Sequence, residues 1–391
     1  MRYVLLLILT AIIICSCGRK SLSPDDVIDL FDSPRSEIKN LSEIATNVEY
    51  IPLQTTENSL IRFINDIKTF GDNIYIFTSS QVLCFDNSGN YLYNLDKQGR
   101  GPEEYTFIYD WDISPENKVL IILIRGKALI YNETNDGFVY SKALNFKDQP
   151  SNIDLSPDQK HILCSYGSTM GNEPFRYVLL NLDGDTLKTI SNNYNYIKNT
   201  KFTFAAKFEN ISFNSNNTLH FKYLLSDTVS TLDQSNAILP YIRFDSHEKQ
   251  ITLEALANFS EDTFSKYLYV GTILETSRYL FYRYYNEKTL YLIALDKITH
   301  EKKNISTTMA GNQPEFINDD IIGGVDFEPK FCIDNILYSW VNAITLKDYV
   351  TSEKFKNSIV KNPEKKEDIQ KLADSLDESD NPILIVVTPK K

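Results

Sequence analysis

The chain has 391 residues, 42% hydrophobic and 24% charged, an ordinary globular composition that excludes wholesale disorder and collagen-like structure. Lys and Arg number 40 against 52 Asp and Glu; the net charge of −12 has the wrong sign for a general nucleic-acid binder, and no nucleic-acid partner is expected. Aromatic residues are abundant, 24 Tyr, 22 Phe and 2 Trp against 3 Met, which favours strands over helices.

The first element in chain order is apolar. Met1, Arg2 and Tyr3 precede a run over residues 4–14 broken only by Thr10, the length of a signal h-region and too short to span a bilayer. Ile14-Cys15-Ser16-Cys17-Gly18 follows and resembles the bacterial lipobox, with aliphatic Ile14 and small Ser16 placed before Cys17. Cys15 fits less well, because Ile14 would occupy the small position. The resemblance implies cleavage before Cys17 and lipid attachment at Cys17, and so an anchor in the lipid bilayer, where each buried CH₂ contributes about 0.8 kcal/mol. The plain alternative is a cleaved signal that happens to hold cysteines. Residues 1–16 are thus expected to be a lipoprotein signal peptide, and residues 17–44, polar and without a clear period, a tether. The expected location is the cell envelope, lipid-anchored at the outer membrane. No acidic cluster directly follows Cys17, and the choice between a periplasmic and a surface-facing position stays open.

A repeat comes next. Asp112-Ile113-Ser114-Pro115-Glu116-Asn117-Lys118 returns 42 residues later as Asp154-Leu155-Ser156-Pro157-Asp158-Gln159-Lys160, each leading into an apolar run. A Ser-Pro-acidic turn before a β-rich run predicts strand, turn, strand. Further second-strand runs centre on Tyr75, Leu219, Leu280 and Ile336; with Leu120 and Ile162 the spacings are 45, 42, 57, 61 and 56 residues. Downstream of several lies a hairpin device, as at Asp86-Asn87-Ser88-Gly89-Asn90 and at Asp183-Gly184, a pair that type I′ turns favour. About four strands in ~45–60 residues is the dimension of a β-propeller blade. Six such units fill residues 60–350.

The ends fit closure. Residues 48–53 (Val-Glu-Tyr-Ile-Pro-Leu) form a short strand before the first unit, and residues 382–387 form one at the terminus. The expected fold is all-β, a six-bladed β-propeller over residues 45–391, closed by strands from both chain ends so that no edge is left exposed. One short C-terminal helix is expected, with Asn362 as its cap, Pro363 at its first position and Ile369, Leu372, Ala373 and Leu376 as its apolar stripe.

Residues 85–91 (Phe-Asp-Asn-Ser-Gly-Asn-Tyr), followed by 98–105 (Gln-Gly-Arg-Gly-Pro-Glu-Glu-Tyr), resemble the inter-blade pattern of NHL-like propellers. With the lipobox, the 48–53 strand and the closing Asp380-Asn381-Pro382-Ile383-Leu384, the chain resembles the six-bladed β-propeller lipoproteins of Bacteroides-type bacteria, which carry NHL-like or TolB-like repeats. The likeness runs over nearly all of the chain. It departs from the pattern in having Glu103 where a second glycine is usual, and the motif occurs in no other unit. That family largely lacks an assigned activity, so the resemblance implies a fold and a location rather than a reaction.

Two segments suit ligand binding. Arg100, between Gly99 and Gly101 and beside Glu103 and Glu104, suits a guanidinium presented to an anionic ligand at the propeller mouth. In the structural alternative the glycines supply special φ/ψ, Pro102 stiffens the turn and Tyr105 packs between blades. Asp110 and Asp112 flank Trp111 and share one face of a strand, where paired carboxylates suit a cation, acid–base chemistry, or hydrogen bonds that fix blade turns. These five residues are the candidate ligand-binding set. No catalytic or metal-ligating residue is assigned, and no cofactor is expected; Ca²⁺ near Asp319, Asp320 and Asp326 would need four or more further oxygens.

His161, His220, His247 and His300 are scattered without a zinc-binding spacing, and no G-x-S-x-G elbow is present. Cys84, Cys164 and Cys332 each lie in an apolar run and are expected as buried thiols rather than a disulfide framework. The aromatic run over residues 279–285 either stacks on sugars or peptide side chains, or fills the space between blades. The leading expectation is a binding or scaffold module for an envelope protein, peptide or glycan. The alternative is a lactonase- or lyase-type propeller enzyme holding Ca²⁺ or Zn²⁺ at the channel mouth, an expectation carried by fold analogy.

Overall fold

A computed structural model describes residues 22–114, 116–199, 209–258, 260, 265–309 and 311–391; Cys17 and the rest of the lipobox lie outside them. Six sheets form the six blades of a β-propeller, four of them four-stranded and two five-stranded. The second strands are Asn73–Phe77, Val119–Ile124, His161–Ser165, Thr218–Tyr223, Tyr279–Asn286 and Ile336–Val341. Every centre of the sequence repeat falls in one of them. Most of these strands read as continuous apolar runs because each blade is packed on both sides, so both strand faces are covered; that of blade four buries His220 and Lys222 among its apolar residues. Leu120, Ile121, Ile122 and Leu123 are all fully buried, alternating between two neighbouring cores. Each such side chain contributes about 1.5–3 kcal/mol by leaving water.

The innermost strands are Asp66–Phe70, Asp110–Ser114, Asn152–Leu155, Asn210–Ser215, Tyr269–Glu275 and Phe331–Ile333. Because the blades are antiparallel, the turns between second and third strands share one face with the blade-to-blade connections. We call this the loop face. The turns between first and second and between third and fourth strands occupy the opposite turn face.

The turns between third and fourth strands reuse one device. The carboxylate of Asp86 accepts from the amides of Ser88 and Asn90, with Gly89 at φ +85°. Asn181 with Gly184, and Asp233 with Asn236, repeat it. The Asp183-Gly184 pair therefore sits in this longer side-chain-organised turn and not in a two-residue type I′ hairpin, because Phe175–Asn181 ends before Leu182 and Thr186–Ser191 begins after Asp185.

The sixth blade closes the ring. Its inner strands are Phe331–Ile333 and Ile336–Val341, its third is the C-terminal Ile383–Pro389, and its outermost is the N-terminal Ala45–Pro52. Between its second and third strands, on the loop face, the chain inserts helices Ala343–Thr351, Glu353–Asn357 and Pro363–Ser375. Leu346, Val350, Phe355, Ile369 and Ala373 bury against Ile317, Ile321, Ile322 and Phe327 of the preceding connection. The Pro363 helix is the expected one, with Leu372 and Leu376 at the margin of this core. Asn362 stands at its cap position, but its side chain makes no cap bond; its carbonyl accepts from Lys365 and Lys366 instead.

The described part of the expected tether, residues 22–44, is built onto the propeller. A 3₁₀ turn at Pro24–Asp26 leads into strand Val27–Asp29, which pairs in parallel with Arg243, Phe244 and Asp245 as a fifth, outermost strand of blade four. Ser36–Glu37 adds likewise to blade five through Lys303 and Asn304. The chain thus straps blades four and five before entering blade six. The free edges of those sheets offer backbone donors and acceptors that such a strap satisfies.

Candidate functional site

Polar side chains converge where the inner strands of blades one to four meet near the axis. Residues two apart on a strand share a face. Asp110 and Asp112 accordingly point together toward blade three, where their carboxylates accept from the amides of Ile153 at 2.9 Å and Leu155 at 2.6 Å. Trp111 points the other way, stacks on Phe77 and donates its indole N–H to Asp66 at 2.9 Å. Lys68 reaches from blade one to Asp112 at 2.5 Å. Burial pulls the Lys68 ammonium down, but the carboxylates of Asp112 and Asp66 outweigh it and hold its pKa above the usual value. Asp110 and Asp112 are thereby tied to the inner strand of the next blade and not to a blade turn.

Asp154, two residues beyond Asn152 on blade three, completes the cluster. Its Oδ1 accepts from Ser212 Oγ at 2.7 Å, while its Oδ2 is enclosed and has no hydrogen-bond partner. Burial and the neighbouring Asp110 and Asp112 carboxylates push its pKa up to about 7, against Ser212 and Lys68. The Oδ1 atoms of Asn152 and Asn210, both residues buried, likewise find no donor. The junction of blades three and four therefore presents three buried acceptor oxygens, a set that suits ordered water or another small donor. Sequence reasoning missed Lys68, Asp66 and Asp154. The signal was present for Asp154, which is the counterpart of Asp112 in the 42-residue repeat.

The 99–105 loop lies on the loop face between blades one and two. Glu104 folds inward, its Oε2 accepting from Gly101 N at 2.8 Å and lying 1.9 Å from where a Cβ on Gly99 would stand. Neither Gly99 nor Gly101 has a positive φ, so the glycines provide room for the Glu104 carboxylate and not the special φ/ψ expected of them. Tyr105 is buried, donates its hydroxyl to Leu95 O at 3.0 Å and packs in the core shared by Phe77, Trp111 and Tyr131. Glu103 approaches Lys97 at 3.4 Å, and its carbonyl accepts from Tyr131. Arg100 is exposed and makes no hydrogen bond or ion pair among the described residues. The five sequence candidates thus divide: Arg100, Glu103 and Glu104 belong to this loop, Asp110 and Asp112 to the axial cluster.

Exposed rings neighbour the loop on the same face. Phe63, with Arg62 above its ring, is 67% exposed, and Phe107 and Tyr109 meet edge to face at 5.3 Å. Ser79 links the two segments, its hydroxyl bonding Asn65 and its carbonyl accepting from Ile108.

The remaining candidates make contacts within the fold. Asp319 is buried and its carboxylate accepts from the amides of Ile321, Ile322 and Gly324, while Asp326 pairs with Lys354. Among the described residues, no group of three or more His, Cys, Asp or Glu is placed to hold a metal ion. His220 is clamped between Phe213 and Tyr241, and burial lowers its pKa to about 4. In the 279–285 run, Tyr279, Phe281, Tyr282 and Tyr284 are buried between blades, whereas Tyr285 stays partly exposed and stacks on Tyr269.

Six blades around an axial polar cluster, closed by strands from both chain ends, define a six-bladed β-propeller. The chain belongs to the family described as Domain of unknown function (DUF4934), which matches residues 25–388. Among solved structures it is similar to a Bacteroides fragilis protein described as exported, 17% identical, with 93% of this chain and 99% of that one covered and a TM-score of 0.69. It is also similar to a member of the DUF4221 family from Bacteroides vulgatus, 11% identical, with 88% and 97% covered and a TM-score of 0.51. At these identities the likeness speaks for the fold. No curated protein matches the chain.

Proposed function

We propose that this chain is a lipid-anchored, extracytoplasmic binding module that captures an envelope protein, peptide or glycan carrying an anionic group on its loop face. One observation carries the reading: Arg100 is exposed and unpaired among the described residues, while the adjacent Glu104 is withdrawn into the loop. A guanidinium left free on the same face as the exposed rings of Phe63, Phe107 and Tyr109 gives that face bidentate donors as well as stacking surface. The lipobox at Ile14 to Cys17 supports the anchor, and the likeness to a Bacteroides protein described as exported supports an extracytoplasmic site.

The test is affinity capture of the intact protein from its own envelope, comparing wild type with an Arg100→Ala, Phe107→Ala double variant. The expected result is a partner recovered with wild type and lost with the variant at unchanged melting temperature. Equal recovery would remove the loop face from the function. For the anchor, Cys17→Ala is expected to move the protein from the membrane to the soluble fraction.

A further inference from the structure

We propose that the propeller stands edge-on against the bilayer, with the rim of blade four next to the lipid and both faces held clear of it; this rests on the lipid-anchor reading above. A free tether over residues 17–44 would let the domain drift about 90 Å from its anchor. The strap removes that freedom. From Pro24 the chain is in regular structure, and Val27–Asp29 is hydrogen-bonded into blade four. Leu22, the first described residue, stands five positions after Cys17. Even fully extended, five residues span about 18 Å. The exit point lies on the rim because Val27–Asp29 is the outermost strand of its sheet. A short leash leaving from the rim draws the rim, and neither face, to the membrane.

The surface around the exit suits that contact. Its acidic side chains are largely engaged within the protein: Asp26 accepts from Ser23, Asp29 from Phe31 N and His247, and Asp32 from Lys302. Outward beside the exposed Asp25 and Glu248 stands the Phe31 ring, 43% exposed, edge-on to His247 at 5.2 Å and 5.9 Å from the Lys249 ammonium, which itself pairs with Glu287 at 2.6 Å. An exposed Phe ring can bury its apolar surface at the headgroup and acyl-chain boundary of a bilayer. Asp25, exposed beside the exit, disfavours an anionic surface, so the matching partner is a zwitterionic phospholipid layer. Edge-on placement also leaves the Arg100 loop open to a partner arriving alongside the membrane.

The intact acylated protein would be reconstituted into phosphatidylcholine vesicles carrying a lipid-borne quencher, with a fluorophore at Asp25 on the rim, Arg100 on the loop face or Asp136 on the turn face. Quenching is expected to be several-fold stronger at Asp25 than at the other two, and Phe31→Ser is expected to reduce it roughly twofold without releasing the protein from vesicles. Equal quenching at all three sites, or the strongest at Arg100 or Asp136, would overturn the orientation. Unchanged quenching in Phe31→Ser would overturn the contact given to that ring. Vesicle flotation is read first: wild type that does not float, or Cys17→Ala that does, overturns the anchor reading itself and is thereby distinguished from a failure of the orientation.

Discussion

The backbone amide of Ile61 donates to Oδ1 of Asn381 at 2.8 Å, joining positions 320 residues apart in sequence. The same carboxamide donates to the carbonyls of Gln54 and Ser59 at 2.9 and 2.7 Å, and Asn381 is buried. One side chain thus satisfies three backbone groups of the connection into blade one, beside the point where Ala45–Pro52 and Ile383–Pro389 close the ring. Asn381→Ala strands the Ile61 amide and the Ser59 carbonyl, while the Gln54 carbonyl keeps the Ser59 hydroxyl at 2.8 Å. Each buried group left unpaired costs about 1–3 kcal/mol, so the expected loss is roughly 2–4 kcal/mol once some relaxation is allowed. Denaturant unfolding measures it. Asn381→Asp should also destabilise, because it keeps the acceptor for Ile61 but loses both donors and brings an ionisable group into a buried site.

The blade count is legible in the sequence because the second strand of each blade is covered on both faces and is therefore rich in apolar and aromatic residues, even in blade four, where His220 and Lys222 interrupt the run. The strap is not legible. Val27–Asp29 and Ser36–Glu37 are three and two residues long and dock through backbone hydrogen bonds, which need no side-chain pattern. The axial cluster is legible only in part. Asp112 and Asp154 occur at matching places in the repeat, but Lys68 joins Asp112 from another blade, and no local spacing announces a contact across 44 residues. Gly99 and Gly101 stand out in the sequence, yet the reason for them, the inward Glu104 carboxylate, is a tertiary fact.

That reason predicts a coupling. Glu104→Ala removes the hydrogen bond to Gly101 N and is expected to cost about 1 kcal/mol. Gly99→Ala in the wild-type background displaces the same carboxylate and should cost at least as much. In the Glu104→Ala background it should cost only a few tenths of a kcal/mol, because the obstructing oxygen is gone and Gly99 has no left-handed backbone to strain. A double-mutant cycle read by thermal unfolding checks this. Additive costs would mean that the glycine serves something other than Glu104. Arg100→Ala, in contrast, should leave stability within about 0.5 kcal/mol.

Thiol chemistry offers a test of the blade packing. Cys84 and Cys164 are fully buried, and Cys332 donates its S–H to Glu275 O at 2.9 Å. Burial, with nearby carboxylates behind it, pushes the Cys84 and Cys332 thiols up to about 12 and raises Cys164 as well, against the Tyr93 and Tyr75 hydroxyls at Cys84. The thiolate is the reactive form. Native protein at neutral pH should therefore leave Cys84 and Cys164 unmodified by a thiol-specific reagent, with labelling rising only as denaturant opens the blades. Rapid native labelling of Cys84, followed by peptide mass spectrometry, would contradict the packing between blades one and two.

Asp154 ties stability to pH. Its folded-state pKa of about 7 lies above the ordinary aspartate value of 3.8 that holds in the unfolded chain. Between those values the folded protein holds a proton that the unfolded chain releases. The stabilisation is thus fully present below about pH 4 and is lost as pH rises through about 7. Asp154 retains some exposure as a residue although its Oδ2 is enclosed, so solvent screening lowers the expected loss to about 1–2 kcal/mol between about pH 5 and about pH 8. Asp154→Asn keeps an acceptor for Ser212 and removes the charge set against Asp110 and Asp112. The variant should match wild type near pH 5, melt about 2–4 °C higher near pH 8 and show a flatter profile between them. Parallel melting curves for wild type and variant across that range would mean that the axial cluster holds its charge without strain, with Lys68 sufficient to balance all of its carboxylates.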